Sequence, residues 1–197
     1  LYEHMDFLQH DTLPIGPKED GAWWYANARL SITLLVILVW GEQLHPTFYT
    51  YCSYCMEQTP GFVIACFMDL RARLNADVVF ERFHVFCDVG RHFQASRFIG
   101  YILSLVPGSV REAEMYFFPP GHGKGKCDGQ GGRMEHTLND LARRSVISTL
   151  EQYCNLLQKA ADLESVQNPG APKCLYIAFT PPAKTMIPKT FLDTVAL

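Results

Sequence analysis

Three aspartates stand where their types and settings could do chemistry. Asp88 closes the apolar run Phe83-His84-Val85-Phe86-Cys87. An acid at the carboxyl end of a buried strand stands at the sheet edge where open α/β folds bind ligands. Asp6 follows Tyr2 to Met5, a candidate first strand, and Asp11 is its rival a little further on. Asp128 lies in a glycine-rich turn, Gly121 to Gly132, that leads into a helix. Glycines there let backbone approach a ligand closely. Two strand-end carboxylates and one at a helix start can converge on one point. That arrangement suits phosphodiester chemistry, in which two divalent ions about 3.5–4 Å apart activate the attacking oxygen and stabilise the leaving one. Carboxylate oxygens are natural ligands for Mg²⁺. His122, Lys124 and Lys126 just before Asp128, and Arg91 and His92 just after Asp88, are placed to contact a phosphate. Glu135, further along the same segment, is the other acid there.

Each feature also has a plainer reading. A strand-end acid is more often a turn or capping residue, and Asp128 can serve as a helix cap while doing chemistry. Gly121 to Lys126 is too short for a GxxxxGK[ST] phosphate loop, because Cys127 follows Lys126. Cys52-x-x-Cys55 is half of a zinc site, which wants four ligands. Cys127, His122 and His45 are candidate partners, but no spacing requires them, and zinc is not expected. Trp23-Trp24-Tyr25 can stack on bases, although packing over a sheet edge is the commoner role. Arg143-Arg144 reads as a solvated face.

The elements that would position these residues follow from periodicity and breakers. Tyr2 to Leu8 is a short strand and Thr12 to Gly21 a loop. Ala28 to Trp40, rich in β-branched residues, is a central strand, and Thr47 to Cys52 another. Thr59-Pro60 opens a helix by capping and first-turn proline, with Asn75 as its stop. Phe83 to Cys87 and Ala113 to Phe118 are strands separated by a helix over Ala95 to Val106. A single long helix carries Leu138, Leu141, Ile147, Leu150, Tyr153, Cys154, Leu157 and Ala161. From Asn168 on, prolines and a short strand at Cys174 to Phe179 suggest an extended tail. The domain reading is a core over 1–167 and a proline-rich tail over 168–197. Strands joined through helices predict an α/β fold, a mixed central sheet flanked by helices, with a helical C-terminal extension.

Composition bounds the rest. A chain of 197 residues, 48% hydrophobic, suits one domain with a sizeable core. The formal net charge of -3 does not advertise nucleic acid, since binders usually carry a basic excess. Seven cysteines, an odd number set mostly in apolar runs, favour a reduced, intracellular chain over a disulfide framework. Leu30 to Trp40 falls short of the roughly 20 apolar residues a membrane span needs. No secretory signal is visible. The chain opens on Leu1 instead of Met, which reads as a fragment or processed product.

The segments Asp88-Val89-Gly90-Arg91-His92-Phe93, Tyr116-Phe117-Phe118 and His122-Gly123-Lys124-Gly125-Lys126-Cys127-Asp128-Gly129 together resemble the catalytic core of DDE/D-type DNA transposases. In such elements a D-x-G-x-H-F strand end precedes an F-F…H-G-K-G-x-x-D-G block. Met5-Asp6-Phe7 and the Leu13-Pro14-Ile15-Gly16-Pro17 loop resemble the start of the same core, so the likeness spans roughly residues 5 to 135. The resemblance implies a ribonuclease-H-like fold, Mg²⁺ or Mn²⁺ dependence, and DNA cleavage and joining, with Asp6, Asp88 and Asp128 as the metal-binding triad. It also implies a nuclear location if the chain is a transposase. The acidic balance and high aromatic content point to an alternative: a transposase-derived assembly subunit with idle acids, oligomeric or bound to protein partners. A ribonuclease acting on RNA is a third option.

Overall fold

The computed structural model describes residues 1–16, 30–42, 44–74, 80–106, 110–119 and 125–182. Six strands form one mixed sheet: β1 (Tyr2–Leu13), β2 (Leu30–Gly41), β3 (Leu44–Ser53), β4 (Phe80–Cys87), β5 (Val110–Phe117) and β6 (Lys173–Ala178). Their spatial order is β5-β4-β1-β2-β3-β6. β2 runs antiparallel to both neighbours, whereas β4 is parallel to β1 and β5, and β6 is parallel to β3. Among the described residues, five helices flank the sheet: α1 (Pro60–Arg73), α2 (Arg91–Gln94), α3 (Ser96–Ser104), α4 (Lys126–Ala142) and α5 (Leu150–Gln167).

β2 explains the layering. Ile32 to Val39 are all buried, as expected of a strand covered on both faces. Leu35, Ile37 and Val39 enter a core with Phe62, Phe67 and Leu70 of α1 and Phe98 and Ile102 of α3. Ile32 and Leu34 pack instead with Met134 and Leu138 of α4 and Tyr153 and Leu157 of α5, while Val36 and Leu38 meet Phe48, Cys127 and Cys174. Side chains two apart on a strand share a face, so one apolar run supplies both layers.

Several expectations need correction. β1 extends to Leu13, absorbing the start of the expected loop, with a bulge between Leu8 and Asp11. The bulge changes which residues face α4 and α5: Asp11 pairs with Ile32, and Leu13 packs in their core. The long C-terminal helix is two helices, separated by a break in which Ile15 and Ile147 exchange backbone hydrogen bonds of 2.9 and 2.7 Å. Thr149 restarts the chain as α5: its hydroxyl accepts from Gln152 N–H, and the Gln152 side chain accepts from Thr149 N–H. The strand expected at Cys174 to Phe179 forms over Lys173–Ala178, and it belongs to the main sheet beside β3 instead of an extended tail. Thr59 caps α1 as expected, accepting from Phe62 N–H at 3.3 Å. No helix among the described residues is long and apolar enough to cross a membrane.

Candidate functional site

The register of β1 and β4 brings the first two acids together. Their last paired residues are Met5 and Cys87, and the next residue on each strand is Asp6 and Asp88. The two carboxylates therefore leave neighbouring parallel strands, which lie about 4.8 Å apart. Met5, Val85 and Cys87 belong to the α1–α3 core. Alternation then turns His4, Asp6 and Leu8 of β1, and Phe86 and Asp88, to the opposite face.

Helix α4 brings the third acid onto that face. A Cβ on Gly125 would stand 2.3 Å from His4 Cε1, and one on Gly131 would stand 3.0 Å from Leu8 Cδ2. The first turns of α4 therefore lie directly on β1, at the residues flanking Asp6. Cys127 Sγ fixes the contact by donating to the His4 carbonyl at 3.3 Å. Asp128 sits between the two glycine contacts. It lies within α4, not in the turn before it, and its Oδ2 accepts from Gly125 N–H at 3.0 Å. That bond is the half of a capping box open to a glycine start. At these two positions glycine serves close packing of helix on strand.

The electrostatics agree with this geometry. Burial, the Asp88 charge and the Asp128 charge, in that order, push the half-buried Asp6 carboxyl up to about 7. The Cys87 thiol beside them is pushed up to about 12 by burial, with Asp88 and Asp6 adding to it. Asp88 is oriented by its own loop: Oδ1 accepts from Gly90 N–H at 2.9 Å, and His92 Nε2 lies 3.9 Å away. A Cβ on Gly90 would stand 2.9 Å from that oxygen and 2.7 Å from the His92 ring, so glycine keeps this turn closed.

The remaining candidates separate. His92 packs edge-on to Phe7 and Phe93, with centroids at 4.5 and 4.2 Å, and burial lowers its pKa. It faces Asp88, and its place is beside the acid. Arg91 is exposed at the start of α2. The Lys126 ammonium stands 5.5 Å from the Trp40 ring centroid. His122, Lys124 and Trp23-Trp24-Tyr25 lie outside the described residues.

Asp11, the rival to Asp6, has partners of its own. It accepts a hydrogen bond from the Tyr153 hydroxyl, and burial raises its pKa with help from Glu135. Asp11 and Glu135 thus form a separate acidic pair along the α4 edge. They line a cleft of about 360 Å³ with Leu8, His10, Asp128 and Gly132. Cys52 and Cys127 are buried thiols in different cores. His4 was missed by the sequence reading. It is 6% exposed under the start of α4, and burial lowers its pKa while Asp128 opposes that. Its signal was the two-residue spacing from Asp6 on a strand.

The acids fit a hard divalent ion in part. All three offer carboxylate oxygen, and their mutual repulsion at Asp6 is what a cation relieves. Among the described residues no group of three or more His, Cys, Asp or Glu is positioned to hold an ion directly. Mg²⁺ asks less, since it commonly takes one or two carboxylates and keeps waters and phosphate oxygens. The adjacent strand ends of Asp6 and Asp88 suit that demand.

Fold and geometry together describe an α/β protein with two aspartates at the ends of neighbouring parallel strands. No protein-family model matches the chain, and no curated protein matches it either.

Proposed function

We propose that the chain is a metal-dependent polynucleotidyl transferase core that cleaves or joins DNA strands at Asp6, Asp88 and Asp128. The observation that carries this reading is geometric: Asp6 and Asp88 each follow the last paired residue of neighbouring parallel strands, and the first turns of α4 rest on β1 on either side of Asp6. The topology supports it. Three antiparallel strands followed by two parallel ones, in the order β3-β2-β1-β4-β5, with a helix after β5 bearing the third acid, is the succession expected of a ribonuclease-H-like core.

In this reading Asp6 and Asp88 bind the ion, and Asp128 completes its surroundings from the first turn of α4. Bound Mg²⁺ or Mn²⁺ would supply activation of a water or 3′ hydroxyl and stabilisation of the leaving oxygen. The Gly90 N–H holds the Asp88 carboxylate in place, with the His92 ring packed beside it. Buried packing of His4 and Leu8 under α4 fixes Asp128 over the strand.

Calorimetry with Mn²⁺ and Mg²⁺ on the wild type and Asp88→Asn tests the reading. Binding that the substitution abolishes, followed by metal-dependent nicking of DNA, is the expected result. Absence of binding in the wild type would sink it. The assembly-subunit reading would then gain, and Leu163 and Val166 on α5, 66% and 79% exposed, mark where a partner helix would be sought.

A further inference from the structure

The face that carries Asp6 and Asp88 continues away from them as a layer of aromatic rings. Trp40 stacks on Tyr2 and Tyr2 on His84, with centroids at 5.5 and 4.7 Å and planes within 13° and 11°. One row nearer the acids, Phe86 stacks on Tyr116 at 4.8 Å and 12°. Phe118, beside Asp88 through its N–H bond to the Cys87 carbonyl, lies 6.2 Å from Phe86. The rings run across β2, β1, β4 and β5; α4 lies against the first two of these strands, whereas α5 packs on β6 and β3. Tyr2 and Tyr116 are 38% and 42% exposed, and Tyr116 ends the stack on edge strand β5.

From this layer we infer that the chain binds unpaired nucleotides, whose bases stack on the aromatic rows while the neighbouring phosphate lies at the acids. The inference rests on the proposed phosphodiester chemistry and deepens it, because it names a single-stranded segment as the ligand. Base stacking is tolerant of sequence, since every base has a π-face. Charge favours this exit over the other. The carboxylates on the aromatic face are engaged, Glu112 with Arg82 at 3.3 Å and Glu114 with both His84 and Tyr116, at 2.8 and 2.7 Å. Lys126 adds an ammonium over Trp40. The opposite exit runs into the cleft of Asp11, Asp128 and Glu135, which repels phosphate.

The test is fluorescence anisotropy of a short labelled oligothymidylate, and of a duplex of equal length, at low salt with chelator present. The proteins are the wild type, Tyr116→Ala, Tyr116→Phe and Tyr2→Ala, each checked for an unchanged melting temperature. The expected result is tighter binding of the single strand, weakened about tenfold by Tyr116→Ala and held within about twofold by Tyr116→Phe. Equal affinity in Tyr116→Ala overturns the inference. So does a wild-type dimer that Tyr116→Ala separates, which would make the face a protein interface. Ring-dependent binding without Asp88-dependent Mn²⁺ uptake would keep the platform and remove the catalytic reading. Metal-dependent cleavage untouched by Tyr116→Ala would do the reverse.

Discussion

Asp6 shows how a site acid can work against the fold that holds it. Its usual pKa lies near 4, and burial with two neighbouring carboxylates pushes it to about 7. The folded chain thus holds a proton that the unfolded chain releases, and this contribution to stability is lost as pH rises through 7. Asp6→Asn should therefore stabilise the protein at about pH 8. Solvent screening of a half-exposed group trims the gain to roughly 1–2 kcal/mol. The same variant should lose Mn²⁺ binding, and melting curves paired with calorimetry check both halves. A variant that melts lower than the wild type at that pH would refute the repulsion argument. Glu3 behaves alike on the other face. It is fully buried, neither carboxylate oxygen has a hydrogen-bond partner among the described residues, and burial raises it to about 8 although Arg71 opposes the shift. Its proton is kept well above the ordinary glutamate range and given up as pH passes 8, so stability falls across that window, by on the order of 4 kcal/mol. Glu3→Gln should flatten the fall of melting temperature between about pH 5 and pH 9. An unchanged slope would assign that fall to other groups.

Helix α4 sets the distance between Asp128 and the strand acids, and its glycines divide into two kinds. Gly125 and Gly131 touch β1, whereas a Cβ on Gly129 or Gly132 would meet nothing within 4 Å. Gly125→Ala forces its methyl group onto the buried His4 ring and should cost about 1–3 kcal/mol through overpacking. Gly132→Ala should stabilise α4 by about 0.5–1 kcal/mol, since alanine removes the entropy penalty of an interior glycine. Chemical denaturation distinguishes the two, and equal effects would mean that α4 does not rest on His4. A Gly132→Ala protein that is more stable yet cleaves poorly would assign that glycine to ligand approach, because it lines the cleft. This division was hidden in the sequence, where the glycines formed one run and read as a turn. The break between α4 and α5 was hidden for another reason: apolar spacing continues across it from Leu141 to Ile147 and Leu150. Only the Thr149-x-x-Gln152 box marked the restart.

At the scale of the molecule, the strands were legible wherever burial was complete. β2 and β4 announced themselves by apolar content, and Asp88 by its place at the end of one of them. β6 was legible as a strand, but its place in the sheet was not, because that depends on a distant partner, β3. The nearness of Asp6 and Asp88 was expected from their strand-end places and from the resemblance, and the β1–β4 register supplies its geometric reason. That register also makes the site conditional. β4 is tied to β1 through four residue pairs, Tyr2 to Met5, whereas β1 and β2 share ten. Cooperative units open separately when their shared contacts are few, so β4 and β5 should part from β1 before β1, β2 and β3 separate. Native-state hydrogen exchange should find the slowest amides in Leu34 to Leu38 and faster, sub-global exchange in Val85 to Cys87. An ion held as proposed by both Asp6 and Asp88 would tie together the two sides of that opening. Mn²⁺ should then slow exchange in β4 and β5 more than in β3, by a factor that grows with ion concentration above the dissociation constant. Uniform protection across the sheet would place the ion away from the β1–β4 seam. Protection confined to α4 would shift the site to Asp128 and Glu135.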